Sequence, residues 1–278
     1  MNILVVGANS RLSQELIRLL NQDGSHGIYG LCNINTNNIT EKAHYLNMGE
    51  LKDSEMVIDV VVHVASYIPY DNWEVFTSDL LESNLRLPLE ISQLFPAARF
   101  VFCSSVSVYG NARESLTENS SVKPANAYAF TKVAGEIIAS SHPSFAIIRI
   151  SSIVGQGVNT PTFIPRAIKQ AKDDGRIVLF GDGSRRQNYI DYTELAELLK
   201  KAALGVASGV FLGVSDRSYS NREVAEMIAN ILPNTSIEYQ GHDESNSAIF
   251  DPSLTKQVWG LSDSVPLEKR IETLVHGR

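Results

Sequence analysis

Short apolar runs alternate with stretches whose apolar residues recur at helical spacing, and this alternation constrains the fold more than any other feature of the chain. Helices are predicted for residues 12–23, around 76–95 and for 127–140. The apolar runs between them are continuous, as in strands that helices cover on both faces. These runs are NILVVG, GIYGLC, VIDVVVHVAS, RFVFCSSVSVYG and SFAIIRISSIVG. The pattern predicts an α/β fold with a doubly wound parallel sheet.

After Gly155 the pattern changes, and we expect the chain to build a second, smaller unit there. A last helix is predicted after Pro266. The elements predicted between these two points are a helix FIPRAIKQAKDDG, a strand RIVLFG, a polar turn GDGSRRQN, and helices YTELAELLKKAAL and SNREVAEMIANIL.

Composition excludes several classes of function. The 278 residues carry a formal net charge of -7, with 44% hydrophobic and 20% charged residues. This balance is that of an ordinary globular protein and argues against a nonspecific nucleic-acid or anionic membrane surface. No apolar run approaches the ~20 residues of a membrane helix, and MNILVVGANS is interpreted as a first strand rather than a signal peptide. Cys32 and Cys103 have no metal-ligand spacing, so we expect a cytoplasmic protein without a metal site.

The turn GANSRLS joins the first strand to the first helix. In such sheets a Gly-rich turn here lets the backbone approach a dinucleotide pyrophosphate. Gly7 is present, but Ser10 and Ser13 occupy the next two expected glycine positions. The amides of Ser10, Arg11 and Leu12 still lie at a helix N-terminus, where an anion is favoured. A serine hydroxyl and the Arg11 charge suit a phosphate, so we interpret the turn as a modified cofactor site; the alternative is a cofactor-free relic.

Tyr128 and Lys132 lie one helical turn apart, on one face of the predicted helix. A tyrosine with a pKa near ~10 is a poor acid or base at neutral pH, but an adjacent ammonium favours the phenolate. Ser104 and Ser105 end a buried strand, at the sheet edge where α/β proteins bind ligands. Taken alone, Tyr128 and Lys132 could be a solvated surface pair, and the two serines could simply end a strand. Together, after a glycine turn, they predict a catalytic site.

With these motifs the chain resembles the extended short-chain dehydrogenase/reductase family, the NAD-dependent epimerases and dehydratases that act on nucleotide sugars. The resemblance runs essentially from end to end. The segments that carry it are DVVVHVAS, SNLRLPLE, SSVSVYG, AYAFTK, RISSIVGQG, FGDGSRRQNYIDYTELA and DPSLTKQVWGLSDSVPLEKRI. It implies a Rossmann dinucleotide-binding domain of residues 1–155 and 189–214, interleaved with a substrate-binding domain of residues 156–188 and 215–278.

The resemblance also implies roles for residues. Ser105 would polarise a sugar carbonyl or hydroxyl, Tyr128 would transfer the proton, and Lys132 would orient the cofactor ribose and tune Tyr128. The implied cofactor-binding residues are Gly7, Asn9, Ser10, Arg11, Leu12, Asn33, Ala65, Ser66, Asn84, Tyr128, Lys132, Ile150 and Ile153. The implied substrate-binding residues are Ser66, Ser105, Ser107, Tyr128, Ser152 and Arg186.

The end of the second strand bears on the choice of cofactor. An NAD enzyme usually places a carboxylate there to hold the ribose 2′-hydroxyl, and none occurs between Cys32 and Thr40. Asn33, Asn35 and Thr36 could instead bond a 2′-phosphate, with Arg11 nearby. We therefore expect NADP, with NAD as the alternative.

Departures from the family pattern narrow the reaction. Val106 and Ser107 stand where family dehydratases have Asp-Glu, and Val106 also replaces the cysteine of the 3,5-epimerase/reductases. Redox at one carbon remains, either by a ketoreductase of a 4-keto-6-deoxy sugar nucleotide or by a 4-epimerase with tightly bound NAD. Gln187 replaces the arginine that the family uses for the diphosphate, so Arg186 is the candidate for that contact.

Two other readings stay open. One is a non-catalytic dinucleotide-sensing regulator, although such a protein would typically lose the tyrosine or the lysine. The other is a reductase of small ketones or aldehydes, which would not need regular diphosphate contacts.

Family members often dimerise through the helix that carries Tyr128 and Lys132, so a homodimer is expected.

Overall fold

The computed structural model describes residues 1–32, 39–69, 73–111, 115–158, 162–243, 245 and 247–277. Within these residues the strands are β1 (Asn2–Val6), β2 (Gly27–Leu31), β3 (His44–Leu46), β4 (Val60–His63), β5 (Arg99–Ser105), β6 (Ser115–Leu116), β7 (Phe145–Ile150), β8 (Ser152–Val154), β9 (Arg176–Phe180), β10 (Arg186–Asp191), β11 (Gly209–Gly213), β12 (Ser218–Ser220), β13 (Ser236–Gln240) and β14 (Ile249–Phe250). The helices are α1 (Arg11–Leu20), α2 (Met48–Lys52), α3 (Ser78–Leu81), α4 (Leu87–Leu94), α5 (Ala127–Ser140), α6 (Phe163–Asp174), α7 (Tyr192–Leu204), α8 (Asn221–Ile231), α9 (Ser253–Trp259) and α10 (Leu267–His276).

The largest sheet in the described part of the chain holds seven parallel strands in the order β11-β7-β5-β4-β1-β2-β3. Side chains of β1 alternate between its two faces, and both faces are buried. Ile3 and Val5 pack into a cluster with α1 and α7, whereas Leu4 and Val6 pack into one with α2, α4 and α5. Because helices cover both faces, every strand position favours an apolar residue. The predicted doubly wound parallel sheet is confirmed.

A second group of elements comes after β8 and after β11 along the chain. Its apolar core is formed by α6, α8 and α10 together with β9 and the outward face of β10. A small sheet, in the order β12-β10-β8, runs beside this core. The described residues include no helix long and apolar enough to cross a membrane.

Several predicted boundaries are wrong, each for a local reason. The run 99–110 is a strand only to Ser105, because the Ser105 hydroxyl caps a 3-10 turn over Val106–Tyr109. The helix around 76–95 is interrupted by a π turn at Glu82–Arg86. The polar stretch 181–188 is not all turn, because Arg186 already begins β10.

Candidate active site

The turn after β1 lies against the end of β4. Gly7 has a φ of +83°, and a Cβ there would lie 2.8 Å from Ala65 Cα. The Ser13 hydroxyl donates to the Gly7 carbonyl at 2.8 Å, and the Ser10 hydroxyl donates to Ser13 Oγ at 2.8 Å. Ser10 Oγ also accepts from the Ser13 amide at 3.1 Å, as the N-cap of α1. The two serines thus hold the turn internally, and the predicted contact of a serine hydroxyl with a phosphate is not what the geometry favours.

Arg11 extends away from the end of β2. Its Nη2 donates to the Tyr192 hydroxyl at 2.8 Å, and its guanidinium lies 4.9 Å from the centre of that ring. Tyr192 begins α7, which packs on β4 and β5. The ribose 2′-position belongs beside the end of the second strand. The geometry therefore argues against Arg11 as a 2′-phosphate ligand; Asn33, Asn35 and Thr36 lie outside the described residues.

Asn84 was expected to contact the cofactor, but its amide is fully engaged inside the protein. Asn84 is 2% exposed. Its Oδ1 accepts from the Tyr67 amide at 2.7 Å and from the Ser66 hydroxyl at 3.3 Å. Its Nδ2 donates to the Tyr67 carbonyl at 2.9 Å and to Thr131 Oγ1 at 3.3 Å. Asn84 thus fastens the segment after β4 to α5, rather than presenting a free polar group.

The two serines at the end of β5 differ in their partners. The Ser104 hydroxyl is buried and donates to Glu136 Oε1 at 2.6 Å. Ser105 Oγ accepts from the Ser107 amide at 3.2 Å, which leaves its own O–H available to donate. The Ser107 hydroxyl oxygen is buried, with no hydrogen-bond partner among the described residues. Ser105 is therefore the serine that a ligand at this edge can use.

Lys132 lies in the interior, and among the described residues its ammonium makes one hydrogen bond. Its Nζ donates to the Cys103 carbonyl at 2.9 Å and lies 5.8 Å from the centre of the Tyr128 ring. Burial lowers the pKa of Lys132 to about 8, against the opposing influence of the Cys103 thiol and the Glu136 carboxylate. Within the described part of the chain no carboxylate forms an ion pair with this ammonium, and the Cys103 carbonyl holds it beside Tyr128.

An ion pair beneath Lys132 fixes α5 against the sheet. Arg149 donates to both oxygens of Glu136, from Nε at 2.9 Å and from Nη2 at 2.8 Å. Both side chains are nearly buried. Helix and sheet also approach closely at Gly135, where a Cβ would lie 2.2 Å from the Phe102 ring. The position of Lys132, one turn before Glu136, follows from this clamp.

Two aromatic residues lie beside the candidate site; one of them, Trp73, ends the stretch SYIPYDNW, whose aromatics the sequence offers either as a cover over the sugar or as packing. Trp73 packs edge-on against Tyr128, with ring centres 5.2 Å apart at 87°. His63 ends β4, is 1% exposed, and has no hydrogen-bond partner on its ring among the described residues. Burial, and secondarily the Lys132 ammonium, lower the pKa of His63 to about 3. His63 lies in DVVVHVAS, one of the segments that carry the family resemblance, but the resemblance assigns this residue no role.

The substrate side differs from expectation at Arg186. Its Nη1 donates to the Ser218 carbonyl at 2.7 Å and pairs with Glu223 at 3.5 Å, so this arginine is occupied. Ser152 lies opposite Tyr189 in the register of β8 and β10, on the same face as Gln187. Gln187 itself donates to Asn221 Oδ1 at 2.6 Å.

The carboxyl ends of the central strands bring most of the predicted residues to one edge. Ser105 and Ile150 are direct neighbours in the register of β5 and β7. Gly7, Ala65 and Ser66 follow β1 and β4 at the same edge, and Tyr128 and Lys132 reach it from α5. Among the described residues, Arg186 and Asn84 are predicted site residues whose polar groups are engaged elsewhere.

Comparison with known proteins places this site in context. The model of the NAD dependent epimerase/dehydratase family matches residues 3–210. An uncharacterized UDP-glucose epimerase, YtcB of Bacillus subtilis, is 25% identical over 265 residues, which cover 83% of this chain and 82% of the relative. A dTDP-D-glucose 4,6-dehydratase of Dictyostelium discoideum is 26% identical over 215 residues, or 66% of this chain. The match spans 49% of that dehydratase, about half of its length.

Solved structures agree in fold over nearly the whole chain. UDP-glucuronic acid 4-epimerase from Bacillus cereus, in complex with UDP-glucuronic acid and NAD, has a TM-score of 0.83 at 20% identity, covering 98% of this chain and 97% of its own. UDP-N-acetylglucosamine 4-epimerase from Methanobrevibacter ruminantium M1 has a TM-score of 0.85 at 19% identity, covering 99% and 97%.

Fold and family match together define an enzyme of the short-chain dehydrogenase/reductase type. The chain belongs to the NAD dependent epimerase/dehydratase family, whose model covers most of its length.

Proposed function

We propose that this enzyme transfers a hydride between a nicotinamide dinucleotide and one carbon of a nucleotide-linked sugar, with Ser105, Tyr128 and Lys132 as its catalytic residues. The observation that carries the proposal is the desolvated Lys132 ammonium, 5.8 Å from the centre of the Tyr128 ring. Burying an ammonium lowers stability, and titratable groups with such strongly perturbed surroundings cluster at functional sites. Beside a tyrosine, the function of such an ammonium is to stabilise the phenolate form.

In the reducing direction, the Ser105 O–H donates a hydrogen bond to the carbonyl oxygen of the sugar and polarises it. Tyr128 gives its phenolic proton to that oxygen, and Lys132 stabilises the phenolate that remains. When bound, the nicotinamide supplies the hydride that reaches the carbonyl carbon. Oxidation runs the same proton path backwards.

The residues of the β1 turn fit a dinucleotide. Gly7 has a φ of +83°, and Ala65 lies where its Cβ would be, so glycine permits the tight turn that brings the start of α1 to this edge. Arg11 and Leu12 hold the first two positions of α1, where amides lack intrahelical acceptors. We assign the pyrophosphate to these amides, with Arg11 on its β4–β5 side. NAD is the cofactor in the complex of UDP-glucuronic acid 4-epimerase from Bacillus cereus, and NADP remains the form to test against it.

Arg185 is the better candidate for the substrate diphosphate. The Arg185 carbonyl accepts a hydrogen bond from the Asn221 amide at 2.9 Å, which continues the pairing of β10 with β12 by one residue. Because side chains alternate along a strand, the Arg185 side chain lies on the same face as Gln187 and Ser152. Its Nε is buried without a hydrogen-bond partner among the described residues. A guanidinium with such an available N–H, on the strand face that also carries Gln187, suits a phosphate contact.

The reaction that we propose first is reduction of a 4-keto-6-deoxy sugar nucleotide, because Val106 and Ser107 provide no acid–base pair for dehydration. The second candidate is a 4-epimerase with retained NAD, which similarity to two 4-epimerase structures favours. A dinucleotide-sensing regulator is less well supported, since the Tyr128–Lys132 pair is kept and buried.

Absorbance of reduced nicotinamide tests the reaction. We expect one NADH or NADPH to be consumed per keto sugar added; interconversion of two sugar epimers without net cofactor change would instead establish the epimerase. Tyr128→Phe should lower turnover by roughly 10²–10⁴-fold with cofactor binding kept. Near-normal turnover in that variant would contradict the proposed proton path.

We further propose that the protein is cytoplasmic and that its two domains have the boundaries given above.

We also propose a homodimer formed through α5. Phe130 and Ile137 on α5 are 56% and 67% exposed, and Phe76 packs on Phe130 at 5.8 Å while half-exposed itself. Such an apolar face favours a second copy. Ile137→Glu should shift the sedimentation of a dimer to that of a monomer; a wild-type monomer would refute the proposal.

A further inference from the structure

The Gln14 side chain joins the cofactor turn to the segment that enters β3. It projects from the first turn of α1 and is 2% exposed. Its Nε2 donates to the Ala8 carbonyl at 2.6 Å and to the Tyr45 hydroxyl at 3.2 Å. Its Oε1 accepts from the Thr40 amide at 2.7 Å and from the Glu41 amide at 2.9 Å. One buried amide therefore fixes two parts of the chain that lie far apart in sequence.

The same region is closed by packing. The Tyr45 hydroxyl donates to the Glu41 carbonyl at 2.7 Å. A Cβ on Gly30 would lie 2.7 Å from the Tyr45 ring and 2.9 Å from the Ala8 methyl, so only glycine lets these two groups meet over β2. We name Gln14, Thr40, Glu41 and Tyr45 the Gln14 clasp.

The Gln14 clasp lies at the end of β2. The amides of Gly7 and Ala8 donate to the Leu31 carbonyl at 2.9 and 3.0 Å, so the cofactor turn and the last residue of β2 are in direct contact. In doubly wound sheets the adenosine ribose is bound beside this strand end, and the nicotinamide lies farther along the sheet. The clasp is thus remote from Tyr128 and Lys132 and adjacent to the adenosine half of a dinucleotide.

We propose that Gln14 is a positioning residue for the adenosine half of the cofactor, acting through the Ala8 carbonyl and the Thr40–Glu41 backbone. The inference rests on the proposed dinucleotide function. Without the Gln14 clasp, the ligand would have to order the segment at Thr40 and Glu41. The conformational entropy lost in that ordering would weaken binding of the ligand. The effect would fall on ligands that reach the end of β2, and not on those that occupy the nicotinamide end alone.

The test compares two fragments of the cofactor, ADP-ribose and nicotinamide mononucleotide, by calorimetric titration. Gln14→Leu keeps the volume but removes the hydrogen bonds, and should weaken ADP-ribose about tenfold while leaving nicotinamide mononucleotide unchanged. Tyr45→Phe removes one oxygen and should weaken ADP-ribose in the same direction, by less. Gln22→Leu, the same change at an exposed glutamine just after α1, should alter neither.

Hydrogen exchange gives a second readout: the amides of Thr40 and Glu41 should lose protection in Gln14→Leu and retain it in Gln22→Leu. Unchanged ADP-ribose affinity in both clasp variants, or equal weakening of the two fragments, would overturn the inference while leaving the proposed function intact. A wild-type protein that binds neither ADP-ribose nor a whole dinucleotide would overturn both.

Discussion

Replacing Lys132 by methionine should abolish turnover and yet make the protein more stable at neutral pH. Lys132 is 2% exposed, and burial lowers its pKa from 10.5 to about 8. At about 1.4 kcal/mol for each pKa unit, holding the ammonium in the folded protein costs about 3.5 kcal/mol. Methionine keeps most of the stem without the charge, but loses the hydrogen bond to Cys103, worth about 1 kcal/mol. The expected net gain in free energy of unfolding is about 2.5 kcal/mol.

The gain should depend on pH in a defined direction. Below about pH 8 the lysine is charged in both states, and the whole cost is present. Between about 8 and 10.5 the folded protein releases the proton while unfolded chains keep it, so wild-type stability rises with pH and the advantage of Lys132→Met shrinks. Above that window the advantage is gone.

Urea unfolding of the wild type and Lys132→Met, at neutral pH and near pH ~10, measures this difference. Lys42→Met is the matched control, because Lys42 is exposed and the same change there should leave the free energy of unfolding nearly unaltered. A Lys132→Met protein that is no more stable than the wild type at neutral pH would refute the reasoning. So would a gain that is the same at both pH values.

Three further outcomes follow from the site. Arg11→Ala should weaken NADH and NADPH binding to the same extent, about tenfold in titrations, because Arg11 lies on the pyrophosphate side of the turn; selective loss of NADPH would restore the 2′-phosphate role. Between pH ~6.5 and ~3 the His63 of unfolded chains binds a proton, whereas the folded His63, with its pKa of about 3, does not, so the wild type loses stability as the pH falls. His63→Leu should reduce that loss, as measured by denaturant unfolding at a series of pH values. An unchanged loss of stability over this pH range would show that the folded protein protonates His63 without cost. Arg185→Ala should weaken binding of a nucleoside diphosphate about ten- to a hundredfold, and Arg186→Ala should change it little; the reverse order would reinstate Arg186.

The sheet could be predicted because its signal is local. Each buried central strand is a continuous apolar run, and α5 begins at Ala127 and ends at Ser140, as its sequence pattern predicts. β11 was missed, since GVFLG is short and two of its five residues are glycines. It is identified as a strand only by its pairing with β7.

Residue roles at the site depend on partners that no sequence pattern states. Ser104 and Ser105 have identical side chains, and the Glu136 carboxylate decides which of them is engaged. Arg185 and Arg186 differ by one position, but a one-residue step in a strand turns a side chain to the opposite face. The sequence therefore predicts the type of group at this site. The pairing of β10 with β12 decides which arginine lies on the strand face of Gln187 and Ser152.

The placement of Lys132 also explains why so much polar structure lies beneath the candidate site. A desolvated ammonium lowers stability, so a helix that carries one would move or fray unless other contacts held it. The Glu136–Arg149 pair provides such contacts one turn further along α5, and Arg149 also donates to the Tyr109 hydroxyl at 3.1 Å and to the Glu118 carbonyl at 3.3 Å. Removing one member of a buried pair leaves the other charge uncompensated, at a cost of about 3–5 kcal/mol. Loss of either partner would therefore destabilise α5 next to Lys132, by an amount comparable to the cost of burying its ammonium.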